Sequence, residues 1–356
     1  MKPTYNVLIL GASYGSLFST KLLLAGHSVT LVCTPPTAEL INREGTLVRF
    51  PIRGRDTLVE IYSDTLAGQL SASIPEGVEP TEFDLVVLGM QESQYSSAGV
   101  REMMARIAAA RLPSLAIMNM PPLPYLARIP GLATDQLEGC FVEPSVWDGF
   151  EPGLVSLASP DPQAFRPPEE PKNVLQVGLP TNFKAAHFED EEHTRILRDL
   201  QADIEAILYD PGDGATEIPV KLKVHDSIFV PLAKWPMLLA GNYRCIQRDG
   251  MISIREAVHG DIEMAKDVYG WAGELCTNLG AAETDLVPFE KYARAAEGLA
   301  KPSSAARALF SGAKHIERVD CLIQRIASQQ GLQSDTVDKI VDLVDERLGK
   351  NRAATA

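Results

Sequence analysis

The stretch from Asn6 to Thr34, NVLILGASYGSLFSTKLLLAGHSVTLVCT, constrains the fold more than any other part of this chain. An apolar run, Val7 to Leu10, stops at Gly11 and a turn of small residues. A helix-length apolar segment follows, then Gly26, then a second β-branched run from Val29 to Val32. The pattern predicts a strand, a tight turn, a helix and a second strand.

In a βαβ unit that binds a dinucleotide the turn must be tight. The backbone must also approach a pyrophosphate, and the following helix must present its N-terminal N–H groups to that anion. Within the candidate cofactor turn Gly11, Ala12, Ser13, Tyr14, Gly15 and Ser16, the residues Gly11, Ala12, Ser13 and Ser16 are small enough to allow all three. Its glycine pattern is degenerate, with serine at the second and third glycine positions and Gly15 one place early. The position right after a strand and before a helix is the context this motif needs. A parallel βαβ unit with no ligand also uses small residues at this turn, so the motif alone leaves both readings open.

Beyond Thr34, the segment Thr34 to Phe50 reads as a turn, a short helix and a strand. The end of the second strand bears on the cofactor, because an acid there suits the ribose of NAD and basic or hydroxyl groups suit the 2′-phosphate of NADP. Cys33 and Thr34 stand there, with Arg43, Arg53 and Arg55 nearby in sequence. NADP is therefore expected over NAD, and any one of these arginines is equally explained as solvated surface. Further strands are expected at Asp84 to Gly89, Ser114 to Met118, Gly139 to Pro144, Leu154 to Ser159 and Val174 to Leu179. A helix is expected from Met90 to Ala110, and the proline-rich run 159 to 173 reads as an exposed loop. Residues just past strand ends face the ligand crevice of an open parallel sheet, which makes Gln91, Gln94 and Asn119 cofactor candidates.

At 356 residues the chain can hold two cores. A formal charge of −14 argues against nucleic acid or an anionic membrane as partner. Five scattered cysteines without metal-ligand spacing suggest a reduced, cytoplasmic protein with no metal site. No apolar run reaches membrane-spanning length.

After about residue 188 helical periodicity takes over, so the expected division is a dinucleotide-binding domain over 1–187 and an all-helical domain over 188–356. Ser334 and Gly349 are the expected start and stop of the last helix. Within SIFVPLAKWPMLLAGNYRCIQ, Lys234 is a lone charge in apolar sequence, either snorkelling to solvent or held in a site. Asn242 lies eight residues on, close to the same helical face, and Pro236 would disturb the helix locally.

Taken in order, GASYGS, DLVVLGMQESQ, IMNMPP, EPGLVSLASP, KWPMLLAGN and the segment Pro302 to Glu317 resemble the ketopantoate reductase-like (ApbA/PanE) family of NADP-dependent 2-oxo acid reductases. The resemblance implies an α/β Rossmann-type N-terminal domain that binds the nicotinamide cofactor, followed by an all-α domain for substrate and dimerisation, with a 2-oxo or 2-hydroxy acid as substrate. It matches Lys234 to the catalytic lysine and Asn242 to the second asparagine after it. Ser304 matches the carboxylate-binding serine, Glu317 the glutamate that holds the substrate hydroxyl, and Asn119 the asparagine after the strand. The sequence departs from the family at Leu238, where an asparagine is expected, at Thr34 for an arginine, and at Gln91 for a lysine. A homodimer is compatible with the resemblance. An opine-type imine reductase and a non-catalytic dinucleotide sensor are the competing readings. In a reductase, hydride delivery to a carbonyl builds charge on oxygen, and Lys234 would supply both charge and proton. Burial would lower its pKa and Glu317 would oppose that shift.

Overall fold

The computed structural model describes residues 3 to 354. The chain forms two compact units, Met1–Met90 with Gln94–Tyr125 and Ser145–Asp226, and Gln91–Ser93 with Leu126–Pro144 and Ser227–Ala356.

The first unit opens with β1 (Asn6–Leu10), α1 (Tyr14–Leu24), β2 (Ser28–Val32) and α2 (Pro35–Glu44), as the periodicity requires. It continues through β3 (Leu47–Phe50), β4 (Val59–Tyr62), β5 (Leu70–Ser73), β6 (Leu85–Leu88), α3 (Val100–Ala109) and β7 (Ser114–Ile117) to the short α4 (Leu123–Leu126). Then follow β8 (Val155–Ser159), β9 (Gln163–Phe165), β10 (Val174–Leu179), β11 (Phe183–Ala186), α5 (Glu191–Glu205), the small ladder β12 (Leu208–Tyr209) with β13 (Thr216–Glu217), and β14 (Leu222–His225).

Eight strands make one sheet in the order β14-β11-β8-β7-β6-β1-β2-β5, and β4-β3-β10-β9 make a second. From β5 to β8 the large sheet is parallel, with β2 and β5 on one side of the starting strand β1 and β6, β7 and β8 on the other. That is the strand order of a doubly wound dinucleotide-binding sheet. Val7, Ile9, Leu17, Phe18, Leu31 and Val87 are among the residues of its continuous apolar core. Inside that core Lys21 donates to the carbonyls of Ile218 and Pro219 at 2.9 and 3.1 Å, and burial pushes its ammonium down to about 7.

The division between units runs differently from a boundary at 187/188. β14 pairs in parallel with β11, and Leu197, Leu200 and Ile204 of α5 join the first core, so the chain through Asp226 belongs to the sheet. Residues 126–144 go instead to the helical unit. The strand expected at Gly139 to Pro144 is there a 3₁₀ turn, Thr134–Cys140, and irregular chain. Cys140 and Phe141 are buried, and the Cys140 thiol donates to Cys321 Sγ at 3.2 Å, so a run too short to show a period serves a helical core. The expected loop over 159–173 contains β9, which pairs with β10. The helix expected from Met90 begins only at Val100, after a 3₁₀ turn over Glu92–Ser96 and Gly99 at φ +77°.

The second unit carries α6 (Trp235–Met237), α7 (Ile254–His259), α8 (Ile262–Asn278), α9 (Phe289–Ala296), α10 (Ser304–Phe310), α11 (Val319–Gln329) and α12 (Asp335–Ala353). Ser334 caps α12, its hydroxyl accepting from Val337 N. The helix runs through Gly349 to Ala353, because Asn351 Nδ2 donates to the carbonyls of Leu309 and Ala313, both at 2.8 Å, and holds the last turn down. No described helix is long and apolar enough to cross a membrane.

Candidate active site

In the first unit the strand order reverses at β1 and β6, and Gly11 sits at the C-terminal end of β1. Gly11 has φ +100°, and a Cβ there would lie 2.6 Å from Met90 Cγ and 2.9 Å from the Gly89 carbonyl oxygen. Only glycine fits such a conformation in such a space. Its N–H donates to Val32 O at 2.9 Å, which ties the turn to the end of β2. Ser13 is the N-cap of α1 without a side-chain cap bond, and the first N–H groups of a helix have no acceptor within it. A backbone anion cradle of this form suits a pyrophosphate.

The remaining turn residues divide into two roles. A Cβ on Gly15 would stand 2.9 Å from Ile9 Cγ2 and 3.2 Å from Leu31 Cδ2, so Gly15 serves the close helix-to-sheet packing that the shifted glycine pattern obscured. Ser16 is buried, and its hydroxyl donates to Ala12 O at 2.6 Å. Tyr14 donates its hydroxyl to Pro162 O at 2.8 Å.

At the end of β2, Thr34 is exposed and caps α2, its hydroxyl 3.0 Å from that of Thr37. The arginines nearest in sequence are engaged or outward. Arg43 pairs with Glu44 at 2.7 Å, Arg55 holds Asp213 through two bonds of 2.7 Å, and Arg53 is exposed. The basic group that the fold does bring to this place is Arg166. Burial pushes the Cys33 thiol up to about 11 while the Arg166 charge opposes that shift, and burial in turn lowers the Arg166 guanidinium. No local signal could have found it, since 132 positions separate Thr34 from Arg166 (166 − 34). Gln91 and Gln94 are exposed in the segment after β6, and Asn119 is half-buried just after β7.

In the second unit Lys234 ends a 3₁₀ turn, Val230–Lys234, which passes into α6 and then into a π-helical turn, Leu238–Tyr243, that contains Asn242. Pro236 lies in α6, and Tyr292 donates its hydroxyl to Met237 O at 3.1 Å, meeting a carbonyl at the change of winding. A Cβ on Gly241 would fall 1.9 Å from that same hydroxyl, so the rod and Tyr292 are in close contact.

Two bonds gather the other expected residues at the π turn. Ser303 Oγ donates to Asn242 O at 2.7 Å and accepts from Ala306 N, capping α10, which sets the exposed Ser304 at the first position of that helix. The Tyr243 hydroxyl donates to Glu317 O and accepts from Val319 N at 3.1 Å. Asn242, Ser304 and Glu317 thus lie within one bonded neighbourhood, and Lys234 stands on the same rod. Leu238, at the position of the missing asparagine, is buried at 3% exposure.

Sequence reasoning missed Glu92. It is 3% exposed, its Oε1 accepts from Val142 N at 3.0 Å, and its Oε2 has no partner among the described residues. Burial pushes this carboxyl up to about 7, and the nearby negative charge of Glu317 adds to the shift. The neighbourhood of Glu317 therefore holds a second carboxyl that keeps its proton well above the usual carboxylate range.

No protein-family model matches this sequence, and no curated protein matches it in sequence. Solved structures do match over nearly the whole chain. A probable 2-dehydropantoate 2-reductase from Bacillus subtilis aligns at 14% identity and a TM-score of 0.60, covering 96% of this chain and 99% of its own. The 2-dehydropantoate 2-reductase from Methylococcus capsulatus aligns at 12% identity and a TM-score of 0.66, with 97% of each chain covered. D-mandelate dehydrogenase, solved with NADH and anilino(oxo)acetate, aligns at 14% identity and a TM-score of 0.64, covering 98% and 99%. The fold is that of these reductases and dehydrogenases, an α/β Rossmann-type domain followed by a helical one.

Proposed function

We propose that this protein is an NAD(P)-dependent oxidoreductase that moves a hydride between a nicotinamide dinucleotide and a small 2-oxo or 2-hydroxy acid. The observation that carries the reading is the second unit's grouping of Asn242, Ser304 and Glu317 around one π turn that continues from Lys234. The Gly11 turn, where a Cβ has no room, fits the cofactor's pyrophosphate. Among solved structures of this fold, D-mandelate dehydrogenase was solved with NADH and an oxo acid.

The bound nicotinamide supplies hydride chemistry, and the chain's own residues supply position and charge. As the carbonyl carbon gains a hydride, the π pair of the C=O bond moves to oxygen. Lys234 delivers a proton to that oxygen, so that a hydroxyl results and no full negative charge persists. Asn242 and Ser304 hold the carboxylate or hydroxyl of the substrate through neutral donors, and Glu317 accepts from its hydroxyl. The absence of an acid at Cys33 and Thr34 favours NADP over NAD.

The test is turnover over a panel of 2-oxo acids with NADPH and NADH. Lys234→Ala is expected to lower turnover about a hundredfold or more with cofactor affinity near normal, the size of a general-acid contribution. Lys234→Arg is expected not to restore it, because a guanidinium stays protonated. Near-full turnover in Lys234→Ala on a true substrate would remove the lysine from the mechanism.

A further inference from the structure

The end of β2 is where the ribose of a bound dinucleotide lies in a sheet of this order, and the residues that the sequence puts there, Cys33 and Thr34, carry no charge. The fold compensates from a distance. Arg166 follows β9, whose Phe165 pairs with Gln176 of β10, and the turn leading into β9 is fastened by the Tyr14 hydroxyl on Pro162 O, 2.8 Å away. Tyr14 is the first residue of α1, so this bond fixes the segment bearing Arg166 to the cofactor turn itself. Arg166 is half-buried, and its positive charge opposes the upward push that burial gives the Cys33 thiol. Among the described residues it has no ion pair or hydrogen bond, and no carboxylate bears on its charge. Other half-buried arginines of this unit differ, since Arg49 holds Glu60 and Glu170 and Arg55 holds Asp213. A guanidinium desolvated without an acid beside it is a costly arrangement unless an anion completes it. With a net charge of −14, attraction for a phosphate must come from such a local group rather than from the overall field.

We propose that Arg166 binds the 2′-phosphate of NADP at the end of β2, in place of a basic residue on that strand, and so sets the cofactor preference of this protein. The planar fork of the guanidinium matches two phosphate oxygens, and the Thr34 hydroxyl stands at the same strand end. This rests on the dinucleotide reading above.

Direct binding tests it, with NADPH and NADH titrated by fluorescence into the full chain and the fold of each variant verified by circular dichroism. The wild type is expected to bind NADPH more tightly than NADH. R166Q is expected to weaken NADPH about 30-fold, the size of one charge-assisted phosphate contact, while NADH stays within about twofold. R166K keeps a charge but loses the fork, so a loss of about fivefold on NADPH alone is expected, and this variant carries the test if R166Q does not fold. An unchanged NADPH affinity in both variants overturns the proposal, as does an equal loss for both cofactors or a wild type that favours NADH. A wild type that binds neither cofactor sinks the dinucleotide reading itself and this proposal with it, a result distinct from the others.

Discussion

Replacing Glu92 by glutamine is expected to make this protein more stable at alkaline pH and to leave it nearly unchanged in acid. Burial holds the native carboxyl at about 7 against 4.5 for the free side chain. Between these values the native state keeps a proton that the unfolded chain has released. Stability contributed by this proton is therefore fully present below about pH 4.5, declines as pH rises, and is lost above about 7. The difference between about 7 and 4.5 corresponds to roughly 3 kcal/mol in total. Glutamine has nearly the same shape, and its carbonyl still accepts from Val142 N, but it never ionises.

The assay is urea unfolding of both proteins from pH 4.5 to 8.5, followed by tryptophan fluorescence. Taking the difference between the two cancels every other titrating group to first order. The difference should be near zero at pH 4.5 and rise by roughly 3 kcal/mol in favour of glutamine by pH 8. A difference that stays flat across that window would refute the reasoning, since it would mean that Glu92 ionises equally easily folded and unfolded.

Other expectations follow from the same geometry. Tyr243→Phe removes the hydroxyl between Glu317 O and Val319 N and should lower unfolding stability by about 1–3 kcal/mol, measured in urea. Gly11→Ala forces a side chain to φ +100° and against Met90 and Gly89, so a loss of about 3 kcal/mol by thermal melting is expected, together with weaker dinucleotide binding. Gly15→Ala inserts a methyl 2.9 Å from Ile9 Cγ2 and should destabilise by about 1–2 kcal/mol, part of the clash being offset by helix propensity. Thr34→Asp should weaken NADPH and spare or improve NADH in a fluorescence titration, and the opposite pattern would contradict the assignment of this strand end.

The parallel βαβ opening was legible because its signals are local. Val7 to Leu10, the break at Gly11 and the β-branched run after Gly26 all act within a few residues, and β1, α1 and β2 follow them. What failed to show was set by contacts distant in sequence. Cys140 and Phe141 read as strand but pack as a turn, because Cys321 lies beside Cys140 in a helical core. Gly349 read as a stop, but Asn351 is anchored by the carbonyls of Leu309 and Ala313. The Arg166 charge bears on Cys33 from the end of a strand placed by the β9–β10 register, and buried Glu92 accepts from a peptide N–H fifty residues on.

The spacing of Lys234 and Asn242 shows how a local irregularity completes what periodicity begins. Eight residues of regular α-helix make about 2.2 turns, which leaves Asn242 near the lysine's face but roughly 80° past it. The turn over Leu238–Tyr243 is π-helical, closing i→i+5 rings with more residues per turn, so the same eight steps come nearer to two full turns. Pro236 withholds the N–H that a regular α-helix would give to the Leu232 carbonyl, where the 3₁₀ turn passes into α6, and the Tyr292 hydroxyl meets the Met237 carbonyl where the π turn begins. The wider turn therefore swings Asn242 toward the lysine's face, and its own backbone carbonyl is held by Ser303 while its neighbour Tyr243 holds Glu317. A substitution that restored regular α-winding, Pro236→Ala, would rotate Asn242 away. In the proposed reductase it should raise KM for the acid more than it lowers kcat, since Asn242 binds the substrate and Lys234 is left in place. A fall in kcat alone would show that the change of winding serves the lysine rather than the asparagine.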